Sequence, residues 1–144
     1  MSFDKTILLV EDNPQDEMLI LRALRKANLA NTINVVRDGQ QALDFLFCEG
    51  EFAGRDTGSP TVVLLDLNLP RISGHEVLAR LRADPRTSLL PVVVLTSSDE
   101  ERDRITSYQH HCNSFVRKPL EFSEFAETVA RLGIYWLATN HPPQ

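Results

Sequence analysis

Val-Val-Leu-Leu-Asp-Leu-Asn-Leu-Pro, at residues 62–70, is the stretch of sequence that decides the fold. Its first four residues are apolar, and a short unbroken apolar run is typical of a central strand that a parallel sheet buries on both faces. The run stops at Asp66, where an ionisable side chain follows the apolar ones. The stretch therefore predicts a buried strand that ends in a carboxylate.

Four other segments have the composition of strands. Residues 7–10 (Ile-Leu-Leu-Val) and 92–95 (Val-Val-Val-Leu) are continuously apolar, so they are predicted to be central strands as well. Residues 32–35 alternate polar and apolar side chains, and residues 114–117 are mixed. These two segments are therefore expected at the edges of the sheet.

Helical patterns lie between the predicted strands. Pro14 suits the first position of a helix, and apolar residues then recur at helical spacing: Ile20, Ala23, Leu24 and Ala27. Capping-box spacing marks the starts of three more helices, at the pairs Asp38 and Gln41, Ser73 and Glu76, and Ser98 and Glu101. A fifth helix is predicted from the apolar residues between 122 and 136, which recur at steps of three and four. Strict alternation of five strands and five helices implies an α/β fold, a doubly wound parallel sheet with helices on both faces.

Composition limits the function classes that fit this chain. With 144 residues and no second unit in the pattern, residues 1–144 are expected to form one domain without an effector domain. The net charge of −5 argues against nucleic acid as a partner, because phosphate contacts need a basic surface. No signal peptide and no apolar stretch of about 20 residues is present, so neither secretion nor a membrane is expected. Cys48 and Cys112 form no CxxC motif, and two such thiols fit a reduced, cytoplasmic protein.

One connection is longer than usual. Residues 49–59 form a glycine-rich polar stretch between the second predicted helix and the central strand. We expect a loop there.

The ends of the predicted strands carry an unusual set of side chains. Glu11 and Asp12 follow the first strand, Asp66 ends the third, Thr96 ends the fourth, and Lys118 follows the fifth. Ligands of open parallel sheets bind beyond the carboxyl ends of the strands. Converging carboxylates repel one another unless a cation intervenes, and Mg²⁺ prefers such oxygen ligands. With Mg²⁺ bound, Asp66 would stay ionised and could attack phosphorus to form an aspartyl phosphate.

Each of these residues also has an ordinary explanation when taken alone. A carboxylate such as Glu11 or Asp12 at the start of a loop is most often a helix cap or a solvated charge. Thr96 alone fits a strand and Lys118 alone fits the surface. Asp66 differs, because it ends a buried run where an unpaired charge is costly. The joint placement on four separate strand ends favours a functional site.

Four segments together resemble the receiver domain of two-component response regulators over residues 5–138. They are Leu-Val-Glu-Asp-Asn at 9–13, Leu-Leu-Asp-Leu-Asn-Leu-Pro at 64–70, Val-Val-Leu-Thr-Ser-Ser at 93–98 and Phe-Val-Arg-Lys-Pro at 115–119. The resemblance implies a flavodoxin-like sheet of strand order 2-1-3-4-5. It also implies a phosphoacceptor that catalyses its own phosphotransfer and dephosphorylation and is not a free-standing enzyme.

By this resemblance, the metal site and the phosphoacceptor share one residue, Asp66. Asp12, Asp66 and the backbone carbonyl of Asn68 would bind Mg²⁺ directly, with Glu11 acting through water; Mn²⁺ could substitute. Asn68 and Ser98 correspond to positions that tune dephosphorylation.

The resemblance also assigns residues to a switch. Thr96 and Phe115 match the switch hydroxyl and the switch aromatic residue, Lys118 the phosphoryl-binding lysine, and Pro119 a proline that is often cis. We expect phosphorylation to draw Thr96 towards Asp66 and Phe115 inward, which would change the surface of helix four, strand five and helix five. Helix four, predicted over residues 99–109, is nearly all polar, and weakly held elements are the ones that move.

The apolar residues near the C-terminus bear on the assembly of the protein. Four apolar residues near the chain end would be exposed in a monomer and favour a homodimer, although they could instead fold over the core: Ile134, Tyr135, Trp136 and Leu137. The chain is similar, more narrowly, to single-domain regulators paired with phytochrome-type histidine kinases. That similarity implies a sensor histidine kinase as the phosphodonor, with a bacteriophytochrome as the candidate.

Three other functions fit the residues less well. A haloacid-dehalogenase-type phosphatase needs a second Asp two residues after the nucleophile, where this chain has Asn68. A pseudo-receiver, which binds partners without phosphorylation, would not need the acceptor, acidic pair, hydroxyl and lysine that are all present. A P-loop nucleotide site lacks its glycine-rich motif.

Overall fold

Five parallel strands form one sheet in a computed structural model, which describes residues 6–27, 32–55, 60–96 and 114–117 together with Ser123 and Glu127. The strands are β1 (Thr6–Val10), β2 (Thr32–Val36), β3 (Val62–Asp66), β4 (Val92–Thr96) and β5 (Ser114–Arg117). Their order is β2-β1-β3-β4-β5, and every neighbouring pair is parallel. The predicted sheet and its strand order are confirmed, with the two mixed segments at the edges.

Three α-helices connect the described strands. They are α1 (Pro14–Ala27), α2 (Gly39–Phe47) and α3 (Gly74–Ala83). α1 begins at Pro14 as predicted, and Ile20, Ala23 and Leu24 on its apolar face are buried. The fourth predicted helix lies outside the described residues, while Ser123 and Glu127 are helical within the fifth.

Alternate residues of β3 enter two separate cores. Val63 and Leu65 join the buried cluster that contains residues of α2 and α3. Val62 and Leu64 join the cluster that contains residues of α1. Both faces of the strand are therefore covered, which explains why residues 62–65 are continuously apolar.

The predicted caps of α2 and α3 are confirmed. The Asp38 side chain accepts a hydrogen bond from the Gln41 N–H at 2.7 Å, and the Ser73 hydroxyl accepts one from the Glu76 N–H at 3.2 Å. Each cap satisfies a backbone donor that the first helical turn would otherwise leave exposed. The pair Ser98 and Glu101 lies outside the described residues.

The long connection after α2 has more structure than the predicted loop. Cys48, in the left-handed region at φ 54°, ends α2, and a short 3-10 helix (Gly50–Phe52) follows. The Phe52 ring packs edge-on against Phe45 of α2, with ring centroids 5.2 Å apart. Arg55 lies over the Phe45 ring at 4.0 Å and donates to the Phe45 carbonyl from two nitrogens, at 2.9 and 2.6 Å. Residues 56–59 lie outside the description.

Two sequence predictions concern thiols and membranes. Cys48 takes part in no disulfide, and Cys112 lies outside the described residues. None of the described helices combines the length and the apolar character that a membrane crossing requires.

Candidate metal centre

Three carboxylates meet at the carboxyl edge of the sheet. Glu11 directly follows β1, Asp12 comes next, and Asp66 is the last residue of β3. Val10 and Leu65 are partners in the parallel register, so the residues after them leave the sheet side by side. One oxygen from each of the three carboxylates lies within 4.8 Å of the other two. The structure thus brings together the acidic residues that the sequence predicted to converge.

The cluster combines buried and exposed acids. Glu11 is fully buried and Asp66 is 5% exposed, whereas Asp12 is exposed. The Glu11 backbone N–H donates to the Val36 carbonyl at 3.0 Å, which holds this residue in line with the sheet. Burial of two carboxylates so close to a third strengthens their mutual repulsion, because the interior screens charge poorly. A cation bound there would relieve this repulsion.

The donor set of the cluster fits Mg²⁺ or Mn²⁺. All three side chains offer hard carboxylate oxygens, which these ions prefer over nitrogen or sulfur. Asp12 and Asn68 are exposed, so one side of the cluster faces solvent, as an ion that retains several water ligands requires. The residues present are therefore compatible with the cofactor that the sequence predicts.

Asn68 also orients the Asp66 carboxylate. Its backbone N–H donates to Asp66 Oδ1 at 3.0 Å. The hydrogen bond spans two residues, as in an Asx turn, and fixes the side chain of Asp66 relative to the loop that follows. The predicted metal-binding role of Asn68 concerns its carbonyl, which this N–H contact leaves available.

Asn13 is part of the site although the sequence analysis did not single it out. Its side chain caps α1 by accepting from the Gln15 and Asp16 N–H groups, at 2.9 and 3.1 Å. Its own N–H donates to Glu11 Oε2 at 3.3 Å. Asn directly before Pro14 was the available signal, because Asn is a preferred N-cap and proline a preferred first helical residue.

Gly74 is a second residue that the sequence analysis missed. A Cβ at this position would lie 2.3 Å from the Asp66 carbonyl oxygen and 2.5 Å from Leu67 Cα. The Gly74 N–H donates to the Leu67 carbonyl at 3.0 Å. α3 therefore begins in direct backbone contact with the end of β3. The sequence feature that could have identified Gly74 is a glycine inside the first turn of a helix. Glycine is unfavourable there unless another backbone approaches closely.

The remaining predicted site residues are described in part or not at all. Thr96 is the last residue of β4 and lies opposite Arg117, while Phe115 of β5 lies opposite Val94. The side chains of Thr96 and Phe115 lie outside the description. So do the other predicted residues: Ser98, Lys118, Pro119 and residues 134–137.

Residues 7–130 match the family model described as "Response regulator receiver domain". The probable methanogenesis regulatory protein FilR2 of Methanothrix harundinacea is 44% identical over 95% of this chain and 86% of its own length. Response regulator Rcp1 of Synechocystis is 38% identical over 94% of this chain and 90% of its own length.

The chain is also similar to solved structures of response regulators. The Mn²⁺-bound form of Rcp1 has a TM-score of 0.87 at 37% identity and covers 97% of this chain and 99% of its own. The phosphorylated cyanobacterial phytochrome response regulator RcpA has a TM-score of 0.89 at 39% identity, covering 99% of this chain and 100% of its own.

Proposed function

Because this chain belongs to the response regulator receiver domain family, we propose that it is a stand-alone response regulator, in which Asp66 accepts a phosphoryl group from a sensor histidine kinase. Residues 1–144 are proposed to form one receiver domain, with its core at about residues 5–138. It signals through altered contacts with other proteins and is not a free-standing hydrolase. The cytoplasm is the proposed compartment, since histidine kinases use ATP there.

The cluster of Glu11, Asp12 and Asp66 is the observation that carries this proposal. Their carboxylate oxygens lie within 4.8 Å of one another, and Asp66 ends a strand that is buried on both faces. A structural role for three acids at one point is unfavourable, because like charges that are partly removed from water destabilise the fold. A functional role at this edge accounts for an arrangement of charges that the fold alone does not favour.

Mg²⁺, held by Asp12, Asp66 and the Asn68 carbonyl with Glu11 acting through water, would neutralise the acids and the phosphoryl oxygens; Mn²⁺ could replace it. The structure of Rcp1 with Mn²⁺ supports this choice of metal.

Asp66 performs the chemical step. One of its carboxylate oxygens attacks phosphorus, the phosphorus–nitrogen bond to the histidine of the kinase breaks, and the electron pair of that bond leaves on the imidazole. The hydrogen bond from the Asn68 N–H to Oδ1, at 3.0 Å, restricts the rotation of the nucleophile. Lys118 is proposed to share the charge of the phosphoryl oxygens. Asn68 and Ser98 are proposed to tune the later attack of water.

Thr96 and Phe115 are proposed to convert phosphorylation into a change of surface. The Thr96 hydroxyl would donate to the phosphoryl group, and Phe115 would turn inward to occupy the space that Thr96 leaves. Support comes from the backbone: β4 lies between β3 and β5, so Thr96 and Phe115 belong to the two strands next to the acceptor strand on one side.

A phytochrome-type kinase is the proposed phosphodonor, and a homodimer the proposed assembly. RcpA, a phytochrome response regulator, is similar over the whole chain, which supports the first. The apolar residues 134–137 support the second, since a monomer would expose them.

A phosphotransfer assay tests the proposal. Purified histidine kinases, a phytochrome-type kinase among them, are labelled with radioactive ATP and mixed with the full chain and Mg²⁺. We expect rapid transfer of label from one kinase to the wild-type chain and none to Asp66→Asn. Asp84→Asn, which changes a surface carboxylate, serves as the matched control and should accept label like the wild type. Absence of transfer from every kinase, or equal transfer to Asp66→Asn, would contradict the proposal.

A further inference from the structure

The loop that follows Asp66 is fixed at both of its ends. This acceptor loop, residues 67–73, joins β3 to α3. The Leu67 N–H donates to the Leu95 carbonyl at 3.2 Å, and the Leu67 carbonyl accepts from the Gly74 N–H at 3.0 Å. These bonds tie the loop to β4 and α3. They leave open what holds its middle, residues 69–72.

The start of α2 makes the contact with the middle of the acceptor loop. The Gly39 N–H donates to the Pro70 carbonyl at 3.4 Å. A Cβ added to Gly39 would lie 1.9 Å from the Ile72 carbonyl oxygen and 2.7 Å from Ile72 Cβ, closer than such atoms can approach. The two backbones therefore touch, and only glycine permits this contact.

Asp38 contributes a second contact through one of its two oxygens. Oδ1 accepts from the Gln41 N–H at 2.7 Å and caps α2, whereas Oδ2 lies 3.6 Å from Arg71 Nη1. Arg71 has φ 70°, in the left-handed region that a non-glycine residue adopts only when its surroundings hold it there. The ion pair with Asp38 and the contacts of Gly39 on either side of Arg71 are such surroundings.

α2 itself does not require a glycine at this position. Its cap is complete with Asp38 Oδ1, and alanine would be a better helix former than glycine. Gly39 is buried and its space is filled by Ile72. The contact with the acceptor loop thus accounts for the glycine, and the helix does not.

We propose that Asp38 and Gly39 are positioning residues, which hold the acceptor loop so that Asp66 and Asn68 keep the geometry needed for metal binding and phosphorylation. This inference rests on the function proposed above. Neither residue touches the reacting atoms. They act through the backbone of residues 70–72, which is continuous with Asn68 on one side and with Gly74, packed against Asp66, on the other.

Gly39→Ala in the full chain is the direct test, with Gly54→Ala as its matched control. A Cβ at Gly54 would meet no atom of the described part of the chain within 4 Å. Mg²⁺ affinity is measured by calorimetry, and the rate of phosphorylation by acetyl phosphate over a range of Mg²⁺ concentrations. For Gly39→Ala we expect about tenfold weaker Mg²⁺ binding, since overpacking must displace the loop. Phosphorylation should slow at low Mg²⁺ and recover at least in part at saturating Mg²⁺. Gly54→Ala should match the wild type in both.

A purely structural role gives a different result. Gly39→Ala would then melt at a lower temperature but bind Mg²⁺ as tightly as Gly54→Ala, and the inference would be wrong. A wild-type chain that neither binds Mg²⁺ nor becomes phosphorylated would instead refute the proposed function, so the two failures are distinguishable.

If Gly39→Ala does not fold, Asp38→Asn tests the same positioning role. Asparagine keeps the capping oxygen but removes the charge that faces Arg71. We expect about twofold weaker Mg²⁺ binding, as suits an exposed ion pair, together with shifted amide NMR signals of residues 68–72 and an unchanged helix content. Unchanged Mg²⁺ affinity and unchanged loop signals would overturn the inference.

Discussion

The two connections that flank β3 pack against opposite ends of α2 and are held in different ways. The acceptor loop, residues 67–73, meets the start of α2 through backbone contacts at Gly39, with a neighbouring backbone contact at Gly74. The connecting segment, residues 48–55, continues from the end of α2 with a backbone hydrogen bond from Glu49 N–H to the Asp44 carbonyl at 2.8 Å. Beyond that bond it packs on the helix through side chains, chiefly Phe52 and Arg55 on Phe45. Both contain a non-glycine residue with positive φ, Arg71 in one and Cys48 in the other.

This difference shows which of the two segments must be held in a fixed position. Side-chain contacts can relax by rotation, so the connecting segment can shift slightly without consequence at the carboxyl edge of the sheet. Backbone contacts at glycine cannot relax in this way. The contact at Gly74 is with the backbone of Asp66 and Leu67, and the contact at Gly39 is with residues 70–72 of the same loop. At such a site a small displacement of a ligand or nucleophile has a large effect on binding and rate. We therefore expect changes in the acceptor loop to alter metal binding and changes in the connecting segment to alter stability alone.

Gly74→Ala should give the largest effect. The new Cβ would lie 2.3 Å from the Asp66 carbonyl oxygen, so α3 or the end of β3 must move. We expect the free energy of unfolding to fall by about 1–3 kcal/mol, as for other overpacked sites, and Mg²⁺ binding to weaken as well. Urea denaturation and calorimetry measure the two. A stability loss of this size with unchanged Mg²⁺ affinity would contradict the link between the acceptor loop and metal binding.

Arg55→Ala should lower stability without changing Mg²⁺ affinity. It removes two hydrogen bonds to the Phe45 carbonyl and the contact of the guanidinium with the Phe45 ring. The free energy of unfolding should fall by about 1–2 kcal/mol. Mg²⁺ affinity should stay at the wild-type value, because Arg55 packs on Phe45, near the end of α2 opposite to the end that meets the acceptor loop. Arg55→Lys keeps the charge but loses the planar fork of the guanidinium. Its free energy of unfolding should lie between those of the wild type and Arg55→Ala.

Glycine at the two positive-φ positions should affect the two segments differently. Cys48→Gly should raise the free energy of unfolding by about 0.5 kcal/mol, since glycine adopts the left-handed conformation of a helix C-terminus without strain. Arg71→Gly relieves similar strain but removes the ion pair with Asp38 and loosens the acceptor loop. It should weaken Mg²⁺ binding about twofold. Equal Mg²⁺ affinity in both variants would count against a special role for the acceptor loop.

The smallest effect is expected at Asp84, where α3 ends. Hydrogen bonds from the Arg86 side chain and backbone hold the pKa of Asp84 below its usual 3.8. A carboxylate with a depressed pKa stabilises the folded state above its unfolded-state pKa, and this contribution is lost as the pH falls through the folded-state value. Asp84→Asn should therefore slightly flatten the dependence of stability on pH below about pH 4, as chemical denaturation can show. Its Mg²⁺ affinity at neutral pH should equal that of the wild type.

Much of the fold and the acidic cluster could be predicted from the sequence because local patterns determine them. The unbroken apolar run at 62–65 indicated a strand covered on both faces, and parallel strands necessarily bring Glu11 and Asp66 to one edge. The caps Asp38 and Ser73 were also predictable, since each bonds a residue three positions away.

The contacts that hold the acceptor loop could not be predicted in the same way. Gly39 and Ile72 are far apart in the sequence, and no sequence pattern around either residue predicts that they are in contact. Arg71 and Cys48 are not residue types that favour positive φ, so their conformations follow from tertiary packing. The stacking of Arg55 on Phe45 likewise depends on the path of the whole connecting segment.

Phosphorylation by acetyl phosphate, measured with and without Mg²⁺, is the decisive test of Asp66 as a metal-dependent phosphoacceptor. The site is located by mass spectrometry of peptides from the wild-type chain, Asp66→Asn and the control Asp84→Asn. The account predicts one phosphoryl group on Asp66 in the wild type and in Asp84→Asn, its loss when a chelator removes Mg²⁺, and none in Asp66→Asn. Phosphorylation that is indifferent to the chelator, that persists in Asp66→Asn, or that never occurs in the wild type would contradict it.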